Sequence, residues 1–380
     1  MSMQTYVETR IGSQNNAWIE ISLGRLLANA RAIRRAQGPL QGGLFAVVKA
    51  NAYGHGLKEI AQALAAEAAY LGVSSIHEAV ELREHGIETP IFLFGRVFSA
   101  ELPAVVTEGI TLCVSSLEEA EEISEISFSL GQKTPVHIKI DTGMGRMGIP
   151  ARSALPVIEK ISALPGLDAE GIFTHFPTAE KEDGVTESQL NDFLLLLEYL
   201  DRKGIRFRYC HASNSAASLK IKSPALNLFR PGLLLYGIYP DASARERIHV
   251  EPVLTLKSRI IHKKPLHTGD TSGYGRDFVA EKPTTLGILP IGYSQGYPFT
   301  ASGRAHVLYR GKRYPVAGRV SMDYIAVDFG EDPFKAGDEV ILIGKSGSEV
   351  ITAEELAQWA GTISYEIVTR LPTRIPRFYQ

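Results

Sequence analysis

LFAVVKANAYGHG, running from Leu44 to Gly56, joins an apolar run to a lysine and then to small, turn-forming residues. Leu44 to Val48 has no polar alternation, the mark of a strand buried on both faces in a parallel sheet. Lys49 then stands where that strand ends. Ligands of parallel α/β proteins bind beyond the carboxyl ends of the strands, so a lysine there is positioned for chemistry. Burial disfavours the ammonium form, which predicts a Lys49 amine neutral enough near pH 7 to condense with a carbonyl group. The residues after it read as a loop. A lone lysine after a strand is more often an ordinary surface residue, and only partners elsewhere in the chain reverse that reading.

The rest of the chain supplies a regular frame for such partners. The first residues, to about residue 16, read as a polar arm, Trp18 to Ser22 as a half-buried strand and Leu23 to Arg35 as a helix. From Leu44 to about residue 236, strand-like and helix-like segments alternate at the spacing of βα units. Strands are predicted at Leu44 to Val48, Tyr70 to Val73, Ile91 to Phe94, Thr111 to Val114, Val136 to Ile140, Gly171 to Thr174, Phe207 to Cys210 and Asn227 to Phe229. Helices are predicted at Lys58 to Glu67, Ile76 to Glu84, Ser99 to Glu108, Leu117 to Leu130, Ser153 to Ala163 and Glu187 to Lys203. The sum predicts an α/β fold with a (β/α)₈ barrel. An open doubly wound sheet is the competing architecture, but no GxGxxG turn follows the first strand. After Pro240 short alternating runs separated by Gly, Pro and Asp predict an all-β domain, with one helix at Glu354 to Trp359. The expected division is a barrel over residues 1–240, whose N-terminal arm and strand join the β domain, and a β domain over 241–380.

Composition narrows the function. With 380 residues, 44% hydrophobic, 22% charged and a net charge of −2, the chain has an ordinary globular make-up and no basic footprint for nucleic acid. No apolar stretch approaches the ~20 residues needed to cross a bilayer, and MSMQTYVETRIGSQ lacks the regions of a signal peptide, so no membrane partner and a cytoplasmic location are expected. Cys113 and Cys210 are too few and too isolated for a disulfide framework or a zinc site, and no metal is expected.

The chemical groups gather at predicted strand ends. Asp141 to Gly148 is a Gly-rich loop carrying Arg146, His175 follows the sixth strand, His211, Ser213, Asn214 and Ser215 follow the seventh, and Arg230-Pro231-Gly232 follows the eighth. Singly, each has a structural reading as a strand cap or turn. Gathered at one end of a barrel, they point to a site. Barrels hold phosphate with the loops after their last strands and the start of a short helix, the places of Asn214-Ser215 and Gly232-Leu233. A strand-end lysine, an arginine and a phosphate site together imply a phosphorylated aldehyde cofactor.

Nine segments in order are similar to motifs of the alanine racemase family: AVVKANAYGHG, KIDTGMGRMG from Lys139, THF around His175, HASNSAA from His211, RPGLLLYG from Arg230, SGYG around Tyr274, PIGYSQGYP from Pro290, GRVSMD from Gly318 and TISYEI from Thr362. The resemblance covers nearly the whole chain. It implies a pyridoxal 5'-phosphate (PLP) barrel with a C-terminal β domain, acting on alanine as a homodimer with composite sites. It implies that Lys49 carries the cofactor and is one base, while Tyr274 of the partner subunit is the other. Tyr53, Ser215, Gly232, Leu233 and Tyr365 are expected at the phosphate, with Asn214 close by and Arg230 at the pyridine nitrogen. Arg146 is expected at the phenolic oxygen and the substrate carboxylate, Met322 from the partner at that carboxylate, Tyr293 and Asp323 near it, and His175 between Arg230 and Tyr274. Lys139 matches a position that some members carbamylate.

The chain also departs from the family pattern. Gln295 and Phe299 stand where many relatives have an acidic residue and an arginine, and Pro177 follows THF. In the family the Phe299 position, with those of Glu180, Arg319 and Ile363, lines the substrate entrance, so charge is lost there. Two other functions compete with this one: a PLP-dependent decarboxylase of the same fold, for which an acidic group is expected at the pyridine nitrogen, and a non-catalytic PLP-binding regulator, for which a barrel alone is expected.

Overall fold

The computed structural model describes residues 16–38 and 43–380, and the expected polar arm lies outside them. Eight parallel strands form the frame: β1 (Gly43–Val47), β2 (Ala68–Val73), β3 (Ile91–Leu93), β4 (Thr111–Val114), β5 (Thr134–Asp141), β6 (Leu167–Phe173), β7 (Tyr209–His211) and β8 (Leu228–Phe229). Each pairs with the next, and β8 returns to β1 through Leu228 opposite Gly43 and Phe229 opposite Leu44, so the sheet closes. The doubly wound alternative is thereby excluded. Helices cross between strands as their apolar spacing predicts, among them α1 (Ile76–Glu84) after β2 and α2 (Leu117–Ser129) after β4. Observed ends differ from the predicted ones by a few residues, most at β6, which begins at Leu167 rather than Gly171. Its first residues include exposed Asp168 and half-buried Ala169, so they lack the continuous apolar run that marks the rest of the strand.

Inward-facing side chains fill the barrel. Phe45, Tyr70, Phe92, Cys113, Phe173 and Leu228 form one buried cluster, with Phe94 and Tyr209 against it. Gly171 makes room for one polar member, since a Cβ there would stand 2.4 Å from the His137 ring.

One expectation is corrected. Lys49–Gly54 is a helical turn, not a loop, and its hand is left: Ala50, Asn51, Ala52 and Tyr53 have φ of 55°, 54°, 50° and 53°. Four consecutive residues with side chains in this region cost roughly 1–2 kcal/mol each. Hydrogen bonds from Ala52 N–H to Val48 O (2.8 Å) and from Leu57 N–H to Asn51 Oδ1 (2.8 Å) hold the turn.

The chain divides into two units. One comprises Leu26–Ala52 and Leu57–Val250 and holds the barrel, and the other takes its described residues from Met1–Arg25, Tyr53–Gly56 and Glu251–Gln380. In the second unit Ala17–Ile21 pairs antiparallel with Leu254–Arg259 and parallel with Arg377–Tyr379, in a sheet extended by Glu339–Ser346, His306–Tyr309 and Lys312–Pro315. His262–Leu266, Thr284–Leu289 and Ile325–Asp328 form a smaller antiparallel sheet, and Ala353–Ala360 is the expected helix. Gly54 has φ 77°, and a Cβ there would meet Val368 O at 2.0 Å. Gly54→Ala should therefore lower the thermal midpoint by several degrees, through left-handed strain and a backbone clash. An unshifted midpoint would contradict this close approach.

Candidate active site

The carboxyl ends of the barrel strands bring together four cationic side chains. Lys49 follows β1, Lys139 lies near the end of β5, Arg146 lies in the loop beyond it, and Arg230 follows β8. Asp141 shapes the arginine loop by accepting from the N–H groups of Gly143 (2.9 Å) and Gly145 (3.1 Å). Burial lowers the Lys49 amine below its ordinary value, Arg146 pushes the same way, and Glu78 opposes them. The Lys49 Nζ lies over the Phe94 ring, 5.8 Å from its centroid.

His175 reports the field of the whole mouth. Burial, then the charges of Arg230, Arg146, Lys139 and Lys49, push its imidazole down to about 3, so it is neutral at physiological pH. Arg230 is 4% exposed. It donates to His211 Nδ1 (2.5 Å), Thr174 O (2.8 Å) and Ala212 O (2.9 Å), and its Nη2 is 3.4 Å from His175 Nδ1. None of these partners is a carboxylate. Burial lowers the guanidinium to about 9, which leaves it cationic at neutral pH.

Beside these cations lies a cradle of small groups at the ends of β7 and β8. Asn214 caps the turn Ser215–Lys220 by accepting from Ala217 N–H (3.0 Å). Ser215 Oγ accepts from Gly232 N–H (2.9 Å) and Leu234 N–H (3.5 Å), so Asn214, Ser215, Gly232 and Leu233 are brought together. Barrel strands that end in a half-buried amine, several cations and a serine-lined cradle fit a phosphorylated, electron-poor aldehyde.

A polar chain that sequence reasoning missed runs inward from Arg230. An arginine cannot accept, so His211 Nδ1 must. The His211 Nε2 then carries the proton and donates to His137 Nδ1 (2.8 Å), which leaves His137 Nε2–H aimed at Glu170 Oε1, 3.6 Å away. That last approach is electrostatic, too long for a hydrogen bond. Tyr70 O–H and Arg208 Nη1 (2.7 Å) donate to the same Glu170 carboxylate. One signal was legible: His137 and Lys139 are two apart on β5 and so share its inward face.

These histidines make a pH prediction. Burial and then Arg230 hold His211 well below its ordinary value, and burial lowers His137 against the pull of Glu170. With His175, three groups have folded pKa values below their unfolded ones. Their stability is present above about pH 6.5 and is lost as pH falls below it, by up to ~1.4 kcal/mol per pH unit for each group. The urea midpoint should fall between pH 7 and pH 5. A constant midpoint would contradict three buried neutral imidazoles.

The second unit carries the remaining candidates. Tyr53 and Tyr365 have ring centroids 6.0 Å apart, and burial followed by the Tyr365 charge raises the Tyr53 phenol. Tyr274 opens a short turn between Thr271–Ser272 and Phe278–Val279 and is 73% exposed. Met322, Tyr293 and Phe299 are exposed too, the last two with ring centroids 6.3 Å apart. Asp323 accepts from Ser294 Oγ (2.7 Å) and from Gln295 Nε2 (3.3 Å), the second a contact that an acidic residue at 295 could not donate. Arg319 is held by Asp277 (2.5 Å).

Among the described residues no helix is long and apolar enough to cross a membrane, and no cluster of three His, Cys, Asp or Glu could hold a metal ion.

Comparison with known proteins agrees with this architecture. The family described as alanine racemase, N-terminal domain, matches residues 21–240, and that described as alanine racemase, C-terminal domain, matches residues 253–379. An alanine racemase of Desulforamulus reducens is 41% identical over 367 residues, 95% of this chain and 98% of that protein. Alanine racemase 2 of Bacillus subtilis is 41% identical over 95% of this chain and 94% of its own length. Among solved structures, alanine racemase of Clostridium difficile 630 superposes with a TM-score of 0.91 at 36% identity, covering 96% of both chains. Alanine racemase of Bacillus anthracis with bound L-Ala-P gives 0.89 at 32% identity over 96% of this chain and 95% of that one. Both halves of the chain match in order, and the chain belongs to the alanine racemase family.

Proposed function

We propose that the chain interconverts L- and D-alanine with PLP as cofactor, as a homodimer in which Lys49 of one subunit and Tyr274 of the other act on opposite faces of the substrate. The observation that carries this reading is the convergence of Arg230, Arg146, Lys139 and Lys49 on a neutral His175. Such a mouth binds phosphate, phenolate and carboxylate, the three anionic groups of the cofactor and an amino acid. Bound PLP supplies electron withdrawal that acidifies the substrate Cα–H.

The protein decides where protons go. Lys49, with its lowered amine pKa, takes the proton of D-alanine on one face, as family resemblance implies, and Tyr274 takes that of L-alanine on the other. Ser215, Gly232, Leu233, Tyr53 and Tyr365 hold the phosphate, with Asn214 fixing the turn that carries Ser215. Arg146 orients the phenolic oxygen and the substrate carboxylate, aided by the partner chain's Met322, Tyr293 and Asp323. Arg230 faces the pyridine nitrogen. A guanidinium does not give up its proton, so Arg230 would leave that nitrogen unprotonated and limit the electron withdrawal that bound PLP would supply. The same arginine, with no carboxylate among its partners, argues against a decarboxylase. Tyr293 and Phe299, both exposed with ring centroids 6.3 Å apart, and the exposed Tyr274 and Met322 of the same unit support the homodimer as groups a partner subunit would cover. Supplying D-alanine for peptidoglycan from the cytoplasm is the corresponding biological role.

Purified protein should absorb near the visible edge, lose that band to borohydride, and convert L-alanine to D-alanine in a chiral assay. A folded, PLP-loaded protein that forms no D-alanine would overturn the reading.

A further inference from the structure

Two βα units of the barrel begin their helices with one sequence pattern: Ser74-Ser75-Ile76-His77-Glu78-Ala79 before α1 and Ser115-Ser116-Leu117-Glu118-Glu119-Ala120 before α2. The second serine caps each helix. Ser75 Oγ accepts from Glu78 N–H (3.3 Å) and Ser116 Oγ from Glu119 N–H (3.1 Å). Each glutamate reaches back in turn, Glu78 Oε2 to Ser74 N–H (3.0 Å) and Glu119 Oε2 to Ser115 N–H (2.7 Å). That reciprocal exchange is what a helix start needs.

Glu78 does more than its twin. Its Oε1 accepts from the N–H of Asn51 at 3.1 Å, inside the left-handed turn and two residues beyond Lys49. Other bonds at that turn run from Ala52 N–H to Val48 O, from Leu57 N–H to Asn51 Oδ1 and from Arg377 Nε to Gly54 O (2.9 Å). Among the described residues the Glu78 bond ties the turn to the next βα unit of the barrel. It also sets a negative charge near Lys49, against the positive charge of Arg146, in a mouth completed by Lys139, His175 and Arg230.

We infer that Glu78 is a positioning residue for Lys49: it anchors the left-handed turn through the Asn51 amide and supplies the counter-charge that sets the basicity of the Lys49 amine. The inference rests on the proposed role of Lys49 as the base acting on D-alanine. It does not make Glu78 a catalytic residue.

Three variants of the holoenzyme test it: Glu78→Gln, which keeps an oxygen acceptor and loses the charge; Glu78→Ala, which loses both; and Glu119→Gln, which changes the twin cap alone. Two readouts are needed, the pH profile of kcat from D-alanine, which reports groups of the substrate-bound enzyme, and hydrogen exchange at the Asn51 amide. Without the carboxylate the Lys49 amine becomes less basic, so in Glu78→Gln the acid limb should move to lower pH by on the order of half a unit. Asn51 exchange should stay near wild type in that variant and rise about tenfold in Glu78→Ala. Glu119→Gln should alter neither. An unmoved acid limb in Glu78→Gln, unchanged Asn51 exchange in Glu78→Ala, or equal effects from Glu119→Gln would overturn the inference. Failure of the racemase reading looks different: the wild type would then form no L-alanine from D-alanine, whatever the Asn51 exchange rates are.

Discussion

Lys49→Ala should lower racemisation in both directions by about 10³-fold or more, because one side chain both anchors the cofactor and moves a proton. The amine stands at the end of β1, its charged form disfavoured by burial and by Arg146. The other lysine in this mouth, Lys139, also has a lowered amine, through burial first and then the charges around it, but it lies on a different strand. Peptide mapping after borohydride treatment of the loaded wild-type protein separates the two. The pyridoxyl label should fall on Lys49, and a label on Lys139 would transfer the role.

Tyr274→Phe should likewise abolish net racemisation, by about 10²–10⁴-fold, while leaving a one-sided exchange reaction. The substitution removes only a hydroxyl from an exposed side chain, so folding and cofactor content should be unchanged. With Lys49 still acting on the D-isomer, the variant in deuterated water should carry deuterium into D-alanine faster than into L-alanine. Faster exchange of L-alanine would reverse the two faces. Wild-type exchange of both isomers would remove Tyr274 from the mechanism.

Much of this was legible in the residues, and the exceptions have physical causes. Buried parallel strands are short apolar runs, so β1 to β8 could be read one by one, and their closure followed from their number. The resemblance located Lys49, Arg146, His175, Asn214, Ser215 and Arg230, all of which the fold places at the carboxyl ends of the barrel strands. The left-handed turn was not legible, because Ala50, Asn51, Ala52 and Tyr53 have no glycine to announce positive φ. It is imposed by bonds from residues that sequence reading does not connect, Glu78 among them. The Arg230–His211–His137–Glu170 chain was hidden similarly. Its members lie on four different barrel segments, and only closure of the sheet makes them neighbours. Gln295 stands where many relatives have an acidic residue, and its amide donates to Asp323, a contact that sequence reading does not reveal.

The central claim is that one active site uses Lys49 from one chain and Tyr274 from another, and subunit mixing tests it most directly. Lys49→Ala and Tyr274→Phe should each be inactive alone. Mixed in equal amounts and allowed to exchange, they should form heterodimers in half of the assemblies, each with one intact site. Activity should then return to about a quarter of the wild-type level. No recovery, with both parents folded and exchange demonstrated by mass spectrometry, would contradict the composite site.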